Sequence, residues 1–548
     1  MPGAWLLGQR DPSRPAIVME GETTTFGELV SKANQLSNKF ADLGLTRGDV
    51  VAGLLLNGTE FYEITLACTQ SGLYFVPINT HLAGPEVEYI VRDCDASVLI
   101  VHAELADKVV GRIEDAVPHR VVIGSAPADW SSYEAFTLFA DETPATRSLG
   151  SAMMYTSGTT GRPKGVRRPM IDATPESPLQ ATGPFFGNVG IPHGPGRHLV
   201  CSPVYHAAPG GVSLSLLHAG HTLYVLPGFD AETVLRTISD KAITSSHMVP
   251  THFQRLLDLP AGVRDSCDIS SVDVLFHAGA PCPPATKRAM IDWFGPVLVE
   301  YLGSTEGLVC VCSTAEWLEH PGTVGRPDPS AVMLRGLDGE QAPPGEEGTI
   351  YFKTSPFEYL GDPEKTAAAQ WGEFTTSGDV GRFDDDGYLY ILDRRVDLIL
   401  TGGVNVYPAE VEGALLEHPA LPMSESSASP TPSGANELWR SSNWRPDSSA
   451  TATKTFAQSW TSTYVSRSPA SSDRANTSSP RTFRDRRQAR CRARSCENSP
   501  TVSRTDICCR CPCRFRSGER STLPQQHRCP ASTSRRRPST VSAPNSLR

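Results

Sequence analysis

The order of apolar and polar residues changes its character along the chain. Up to residue 422, short apolar runs such as Val50–Leu56, Ser97–Val101 and Val272–Phe276 are typical of strands buried on both faces. Between Phe26 and Leu43 the apolar residues recur at helical spacing. The alternation of such strands with helical segments predicts an α/β protein with mostly parallel sheets and helices on both faces.

Beyond Pro422 neither a strand period nor a helical period persists, and Ser, Arg, Pro, Thr and Cys dominate. Residues 423–548 contain 21 Arg and one Lys against eight acidic residues, a net charge of +14. Because the whole chain carries −10, residues 1–422 carry −24. The composition predicts a disordered tail, and the 548-residue length predicts at least two domains.

Three interpretations of this tail compete. It could be a basic arm that binds nucleic acid. Its seven cysteines could bind zinc, although Cys491, Cys496 and the crowded group from Cys508 to Cys513 lack the paired spacing of a tetrahedral site. It could also be translated in the wrong reading frame. The seven cysteines of residues 1–422 are scattered and are expected to be buried thiols.

The reading-frame interpretation can be examined with the genetic code. If the third base of each codon is read with the first two of the next, Leu421–Glu437 permits VADVGVVGVPDPEWGER, a strand followed by a Pro-Asp-Pro turn. In the same register, Thr482–Cys491 permits LPRPTAGKV. The agreement of several segments in one register favours a one-base slip near Ala420.

The segment Tyr155–Gly165 contains three glycines, four aliphatic hydroxyl side chains and one lysine. An apolar run from Ala152 leads into it, which predicts a strand followed by a flexible loop. Glycine lets backbone N–H groups face a polyanion, and Lys164 adds a point charge for phosphate oxygens. It is not a Walker A loop, which needs Gly-Lys-Ser/Thr at the start of a helix. The alternative is an ordinary surface loop.

Further polar groups follow predicted strands. Tyr301–Gly307 places a carboxylate beside hydroxyls, an oxygen-rich set that suits Mg²⁺, although it could also be a helix start capped by Ser304 or Thr305. The small residues after His277 would let an adenine ring approach the backbone. Asp379 and Arg394 could accept from and donate to ribose hydroxyls, or form a surface hairpin.

In this order, the motifs resemble those of the AMP-forming acyl- and aryl-CoA synthetases, the adenylate-forming superfamily, over about residues 10–420. The resemblance implies a large adenylating domain of two α/β/α sheets and a small β-barrel in residues 1–395. Residues 396–422 would be the hinge and the start of a small α+β domain, and residues 423–548 an out-of-frame tail. Val396 stands at the hinge, where the family often has Asp or Lys. The two shifted segments resemble that small domain, including the segment that carries its catalytic lysine.

The resemblance also implies roles for individual residues. Catalysis would involve Thr160, Lys164, His206 at the mouth of the carboxylate pocket, and Glu306 as the Mg²⁺ ligand. Thr305 would contact the α-phosphate, Tyr301 would stack near adenine, and Gly402 and Gly403 would approach the pantetheine of CoA. The remaining nucleotide-binding residues would be Thr156, Ser157, Gly158, Thr159, Gly161, Gly279, Ala280, Pro281, Gly303, Ser304, Asp379 and Arg394.

The implied reaction uses ATP, Mg²⁺ and CoA to convert a small-molecule carboxylic acid, a fatty acid or another acyl acid, into its CoA thioester. No nucleic-acid partner is expected. An acyl-carrier protein could replace CoA as acceptor. The chain could also be a damaged product that binds nucleotide but adenylates poorly, because Lys454 lacks the expected Gly-Lys context. No membrane-spanning run or secretory signal is recognised, so a cytoplasmic location is expected.

Overall fold

The computed structural model describes residues 3–125, 127, 129–156, 163–176, 194–394, 399–401 and 404–406. All of these belong to one compact unit, residues 1–445. The hinge position Val396 and the tail beyond residue 422 lie outside the described residues.

The predicted helix at Phe26 is present as α2, and its start shows why it forms there. The Thr25 hydroxyl accepts from the Glu28 backbone N–H, and the Glu28 carboxylate accepts from the Thr25 N–H, so two unpaired backbone groups are satisfied. The described α-helices are α1 (Ala4–Arg10), α2 (Phe26–Asp42), α3 (Thr59–Ser71), α4 (Gly84–Asp93), α5 (Tyr133–Phe136), α6 (Ala207–Ala219), α7 (Ala231–Lys241), α8 (Pro250–Leu257), α9 (Ala261–Asp265), α10 (Pro284–Phe294), α11 (Thr314–Glu319) and α12 (Pro363–Ala368).

The strands form two large parallel sheets and several smaller antiparallel ones. Those of the first half are β1 (Pro15–Met19), β2 (Glu22–Thr25), β3 (Val50–Leu54), β4 (Tyr74–Pro77), β5 (Ala96–His102), β6 (His119–Ile123), β7 (Ser131–Ser132), β8 (Ser151–Ala152), β9 (Met154–Thr156), β10 (Lys164–Arg167), β11 (Arg197–Val200), β12 (Thr222–Val225) and β13 (Ser245–Met248). Those of the second half are β14 (Val274–His277), β15 (Leu298–Ser304), β16 (Gly307–Ser313), β17 (Val332–Arg335), β18 (Glu347–Lys353), β19 (Glu358–Tyr359), β20 (Gln370–Trp371), β21 (Phe374–Thr375), β22 (Asp379–Phe383), β23 (Leu389–Arg394), β24 (Ile399–Thr401) and β25 (Val404–Val406).

The first large sheet has six strands in the order β7-β6-β5-β3-β4-β8, and all neighbouring strands are parallel. Its central strands are buried on both faces: Val51 and Val98 pack into one core cluster, whereas Ala52 and Leu99 pack into the other. The continuous apolar runs of the sequence arise because both faces are covered.

The second large sheet has eight strands in the order β16-β15-β14-β13-β11-β12-β1-β2. The six inner strands of this sheet are parallel to one another. The edge strands β16 and β2 run antiparallel to their neighbours β15 and β1. Helix α6 covers one face through Leu216, and α7, α8 and α10 cover the other. These two sheets confirm the predicted α/β architecture, and the carboxyl ends of β13, β14 and β15 meet at one edge, where α/β proteins bind ligands.

The antiparallel part adjoins the second sheet in sequence. A six-stranded sheet has the order β20-β21-β18-β22-β23, with β17 also paired to β18, and corresponds to the small β-barrel that was predicted. A separate three-stranded sheet, β19-β10-β9, joins residues that are almost two hundred positions apart. Among the described residues, the structure has no helix that combines the length and the apolar character needed to cross a bilayer.

Candidate active site

The predicted phosphate loop is closed by a hairpin. Strands β9 and β10 pair antiparallel, with Thr156 opposite Lys164 and Tyr155 opposite Gly165, so the two ends of the loop lie side by side. Lys164 therefore starts a strand, whereas the sequence placed it in a flexible loop. The Tyr155 hydroxyl donates to Asp93 Oδ2 at 2.6 Å and fastens this hairpin to the end of α4. Residues Ser157, Gly158, Thr159, Thr160 and Gly161 lie outside the described part of the chain.

Lys164 belongs to a compact charged group. Its Nζ lies 3.0 Å from Asp362 Oδ2, its side chain is 14% exposed, and it is also within hydrogen-bonding distance of the Lys365 amine. Burial acts to lower the pKa of Lys164, but the contacts with Lys365 and Asp362 outweigh it and raise that pKa. Burial, followed by the contact with Lys164, lowers the pKa of Lys365 to about 8.

The segment Thr305–Glu306 is the tight turn of a hairpin. Strands β15 and β16 pair antiparallel up to Ser304 and Gly307, so the alternative of a capped helix start is wrong. Glu306 is 6% exposed, and its two carboxylate oxygens accept from the Tyr359 hydroxyl at 2.8 Å and the Thr305 hydroxyl at 3.1 Å. Burial, together with the Glu306 charge, raises the pKa of Tyr359, so this hydroxyl keeps its proton and donates.

The backbone of the same turn is held from two further directions. Arg168, just after β10, donates to the Glu306 carbonyl at 2.6 Å and to the Thr305 carbonyl at 3.2 Å. The Thr354 hydroxyl donates to the Glu306 carbonyl at 2.8 Å. Since Tyr359 lies on β19, the partner of β10, the phosphate hairpin and the Glu306 turn form one connected unit.

The chemistry of this turn fits a hard cation. Glu306 and the hydroxyls around it offer only oxygen, which is what Mg²⁺ prefers. No cluster of three or more His, Cys, Asp or Glu side chains able to hold a metal occurs among the described residues. A single carboxylate agrees with the usual way in which Mg²⁺ is bound, by one or two protein oxygens together with substrate phosphates.

The predicted adenine turn lies at the carboxyl end of β14. Gly279 has φ of +86°, a conformation that glycine adopts readily, and Gly279, Ala280 and Pro281 are exposed. Gly303, on the neighbouring strand β15, is exposed as well, whereas the Ser304 hydroxyl is buried and forms no hydrogen bond within the described ranges. The edge of the sheet is therefore open here to a flat ligand.

A buried ion pair lies directly beneath this turn. Lys287 of α10 is fully buried, and its Nζ lies 2.5 Å from Glu300 Oε2 of β15. The Nε2 atom of His277 lies 3.9 Å from the same oxygen, and burial, followed by the Lys287 charge, holds the pKa of His277 far below its usual range. The ion pair links the helix that follows the adenine turn to the strand that leads to Glu306.

The opposite face of β15 carries a second polar group. The Tyr301 hydroxyl lies 2.9 Å from Nε2 of His247 on β13, on the side of the sheet that α6 covers. Burial lowers the pKa of His247 to about 4. His206 directly precedes α6; the protein around it and the nearby His81 lower the pKa of its imidazole, although solvent reaches the side chain. These imidazoles are neutral near pH 7.

The candidate ribose-binding residues occupy paired strands. Asp379 at the start of β22 is the register partner of Arg394 at the end of β23. The Ser377 hydroxyl donates to Asp379 Oδ2 at 2.6 Å. Gly402 and Gly403, the candidate CoA-binding residues, lie outside the described residues, so their role stays a prediction.

Several residues of the site have no signal in the sequence. Arg168, Tyr359 and Asp362 reach the site only because β10 pairs with β19 and Asp362 follows β19. His247 and the Lys287–Glu300 pair carry no motif either.

The chain matches the sequence family described as AMP-binding enzyme over residues 7–356. A feruloyl-CoA synthase from Amycolatopsis sp is 33% identical over 438 residues, which cover 76% of this chain and 84% of that protein. A fatty acid–[acyl-carrier-protein] ligase from Streptomyces coeruleorubidus is 32% identical over 433 residues, which cover 75% and 80% of the two chains.

The fold is also found among solved structures. An anthranilate CoA ligase in complex with anthranoyl-AMP superposes with a TM-score of 0.66 at 27% identity, over 76% of this chain and 82% of that one. The anthranoyl-AMP bound to that ligase is an acyl-adenylate.

Proposed function

This chain belongs to the AMP-binding enzyme family, and from that premise we propose that its described region binds Mg·ATP and activates a carboxylic acid as an acyl-adenylate. The family activity is that of an acid–thiol ligase, which then transfers the acyl group to CoA. The relatives act on an aromatic acid and on a fatty acid, and we propose that the substrate here is of one of these two classes.

One observation carries the proposal above all: the phosphate hairpin and the Glu306 turn form a single unit. Lys164 starts one strand of that hairpin, Arg168 binds the turn, and Tyr359 bridges to the Glu306 carboxylate. A cation and a carboxylate that suits a metal are thus held in one connected unit before any ligand binds. Such fixed charges stabilise the charge that develops in phosphoryl-type transfer.

The residues can be assigned to steps of the reaction. A carboxylate oxygen of the acid forms a bond to the α-phosphorus, and the bond from that phosphorus to the bridging oxygen breaks, which releases pyrophosphate. Lys164 would hold the departing phosphates and the Thr305 hydroxyl the α-phosphate. Mg²⁺ on Glu306 would supply further neutralisation of charge.

The second half-reaction needs less from the described residues. The CoA thiolate attacks the acyl carbonyl carbon, and AMP leaves with the electrons of the acyl–oxygen bond. His247 and His206 lie on the face where the acyl group would be held, and their neutral rings suit an uncharged acyl chain better than charged groups would.

The test is acid-dependent exchange of labelled pyrophosphate into ATP, with a panel of fatty and aromatic acids, on this chain and on a version with the reading frame restored. We expect Glu306→Gln to lower kcat/KM for exchange by about 100-fold. Glu358→Gln, an exposed carboxylate next to Tyr359, should leave it unchanged. Absence of exchange with every acid in the frame-restored protein, or a normal rate in Glu306→Gln, would contradict the proposal.

A carrier protein is a second candidate acceptor, because one relative is an acyl-carrier-protein ligase. The two acceptors are distinguished by incubating the acyl-adenylate with free CoA or with a phosphopantetheinylated carrier protein. Formation of the thioester with CoA alone supports the ligase assignment.

A further inference from the structure

Two lysine side chains meet at the phosphate hairpin. Lys164 on β10 and Lys365 on α12 are neighbours beside Asp362, whose carboxylate binds the Lys164 amine at 3.0 Å and the Lys365 backbone N–H at 2.9 Å. Amines that are both protonated repel each other. The pairing of β10 with β19 brings the start of α12 beside Lys164. A close pair of cationic side chains is a common feature of sites that bind a polyanion.

The carboxylate beside the pair does not neutralise it. Asp362 Oδ2 lies 3.0 Å from Lys164 Nζ, but its other oxygen accepts from the Lys365 backbone N–H at 2.9 Å. Among the described residues, the Lys365 amine forms no ion pair within 4.0 Å, and it lies 5.1 Å from the centre of the Tyr359 ring. Asp362 forms its ion pair with Lys164 and binds only the backbone of Lys365, so this one carboxylate does not balance the charge of two amines.

The titratable groups around the pair come from four elements. They are Asp362 beside both lysines, Tyr359 on β19, Tyr89 on α4, and Glu306 on the hairpin turn. Tyr359 is neutral at physiological pH, because burial raises the pKa of its hydroxyl. Glu306 is already engaged by two hydroxyls and is the expected Mg²⁺ ligand. The unbalanced charge of the pair is therefore available to a ligand.

We propose that Lys365 and Lys164 together form a two-lysine site for the polyphosphate of the nucleotide, so that Lys365 is a further substrate-binding residue of the reaction. The inference rests on the proposed function for the identity of the ligand, and its chemistry is that of a polyphosphate, either the β- and γ-phosphates of ATP or released pyrophosphate. Two ammonium groups in contact can each donate to a different phosphate oxygen, and the anion removes the repulsion between them.

This arrangement couples binding to protonation. The pKa of Lys365 lies at about 8, so near pH 7 its amine is mostly protonated, and above pH 9 it is mostly neutral. A bound polyanion favours the protonated form and raises that pKa. Affinity should therefore be highest below pH 8 and fall as the pH rises through 8 towards 9, with uptake of a proton on binding in that window.

The experiment measures binding of inorganic pyrophosphate, ATP and AMP to the full chain by calorimetry, in wild type, Lys365→Met, Lys365→Arg and the control Lys241→Met, an exposed lysine of α7. We expect Lys365→Met to lower the binding affinity for pyrophosphate and for ATP by about tenfold and to leave the affinity for AMP unchanged. Lys365→Arg, which stays charged at all accessible pH values, should keep the affinity and lose the fall between pH 7 and pH 9. Ionisation of pyrophosphate itself affects both proteins equally.

Each outcome decides something. If Lys365→Met lowers the affinity for ATP but not for free pyrophosphate, the pair binds only the phosphates of the intact nucleotide. If it lowers both affinities, the pair also holds the released product. Equal affinities in wild type and Lys365→Met, with ATP bound by both, overturn the two-lysine site while the proposed function stands. If wild type binds pyrophosphate through Lys365 but neither ATP nor AMP, the site stands and the proposed function fails. If wild type binds none of the three, both fail.

Discussion

The position of Glu306 depends on four individual hydrogen bonds. Its carboxylate accepts from Tyr359 and Thr305, and its carbonyl accepts from Arg168 and Thr354. These partners come from three parts of the chain, Arg168, the neighbouring Thr305 and the segment from Thr354 to Tyr359, so Glu306 has little freedom to rotate. A carboxylate fixed in this way can meet a cation without a further loss of side-chain entropy.

The Tyr359 hydroxyl provides the first test at this scale. Tyr359→Phe removes the donor to Glu306 Oε1 and leaves the ring in place, so the carboxylate should lose its orientation. We expect kcat/KM for ATP in pyrophosphate exchange to fall by about tenfold, since a hydrogen bond to a charged group is lost. Tyr390→Phe removes a hydroxyl that donates to Asp384 on a distant hairpin and serves as the control. Equal losses in both variants would count against the role of Tyr359.

The adenine turn provides a second test. Gly279 has φ of +86°, and a Cβ added there would meet only Val249, at 3.8 Å, so Gly279→Ala introduces backbone strain without a clash. We expect a loss of about 1 kcal/mol in the free energy of unfolding and a higher KM for ATP. Gly228→Ala, where an added Cβ would meet nothing within 4 Å and φ is ordinary, should be neutral. Denaturant unfolding and exchange kinetics measure the two effects.

At the residue scale, the sequence predicted the charged residues of the site, but not the residues that form ion pairs and hydrogen bonds with them. Lys164 and Glu306 stand in recognisable motifs with glycines and hydroxyls. Asp362, by contrast, reaches Lys164 across 198 positions through the β10–β19 pairing. Pairing between strands of two and four residues leaves too short a pattern to be read from the chain.

At the scale of elements, contacts between helices and strands are fastened by buried polar pairs. Glu63 of α3 accepts from the Tyr133 hydroxyl of α5 at 2.6 Å, and Lys287 of α10 pairs with Glu300 of β15. The first pair closes one edge of the six-stranded sheet, and the second lies under the adenine turn. Both place ionisable groups where water does not reach, so the stability of these contacts depends on protonation and pairing.

The Glu63–Tyr133 contact predicts a pH dependence. Burial raises the pKa of Glu63 from about 4.5 to about 7, so the folded protein retains a proton that the unfolded chain releases. Its contribution to stability is complete below about pH 4.5 and is lost as the pH rises through 7, about 3 kcal/mol in all. Glu63→Gln, which resembles the protonated acid, should remove this decline in urea unfolding between pH 5 and pH 8. Glu134→Gln, an exposed position of α5, should retain it.

The ion pair beneath the adenine turn predicts a strong asymmetry between single and double variants. Lys287→Met leaves the Glu300 carboxylate buried without its partner and should cost about 3–5 kcal/mol. The double variant Lys287→Met with Glu300→Leu should recover most of that loss, because no charge stays buried. Arg236→Met, which breaks an exposed pair on α7, should cost less than about 1 kcal/mol. If the losses in the free energy of unfolding of the two single variants simply add in the double variant, the pairing is contradicted.

Element prediction succeeded where periodicity was long and failed at short turns. Helix α2 and strands β3 and β5 lie where the apolar spacing places them. The turn after Ser304 was open between a loop and a capped helix, because Ser or Thr before an acidic residue is compatible with both. The structure decides it through Gly307: a Cβ there would lie 2.6 Å from the Thr354 hydroxyl oxygen, so glycine permits the close approach that the hairpin needs.

At the scale of the whole molecule, the adenylating fold and the tail contrast sharply. Residues 7–356 match the family, and the described site lies within residues 93–394. The family architecture could be predicted because parallel sheets need long apolar strands, and the motifs follow them in a fixed order. Composition alone does not decide the nature of residues 423–548, since Arg- and Ser-rich sequence is compatible with a basic tail and with a shifted frame.

The reading-frame hypothesis predicts a large difference in activity. We expect this chain to bind nucleotide but to adenylate at least about 100-fold more slowly than a protein whose frame is restored near Ala420, because a fixed cation would be lost from the first half-reaction. Thioester formation should be close to absent in this chain. Pyrophosphate exchange and thioester assays on both proteins measure the difference. Equal turnover, or a gene whose sequence is uninterrupted around Ala420, would refute the hypothesis.

Successive side chains of β15 face opposite sides of the sheet, so substitutions on the two sides have different consequences. Glu300 faces the ion pair with Lys287, and Tyr301, one position later, faces His247 and α6. If the proposed acyl pocket lies on that face, we expect substitutions at His247 to alter which acid is accepted without touching the ion pair beneath the nucleotide turn, so that substrate range can change while the fold is preserved. An inserted or deleted residue between Leu298 and Glu300 has the opposite effect, since it exchanges the two faces and removes both functions at once.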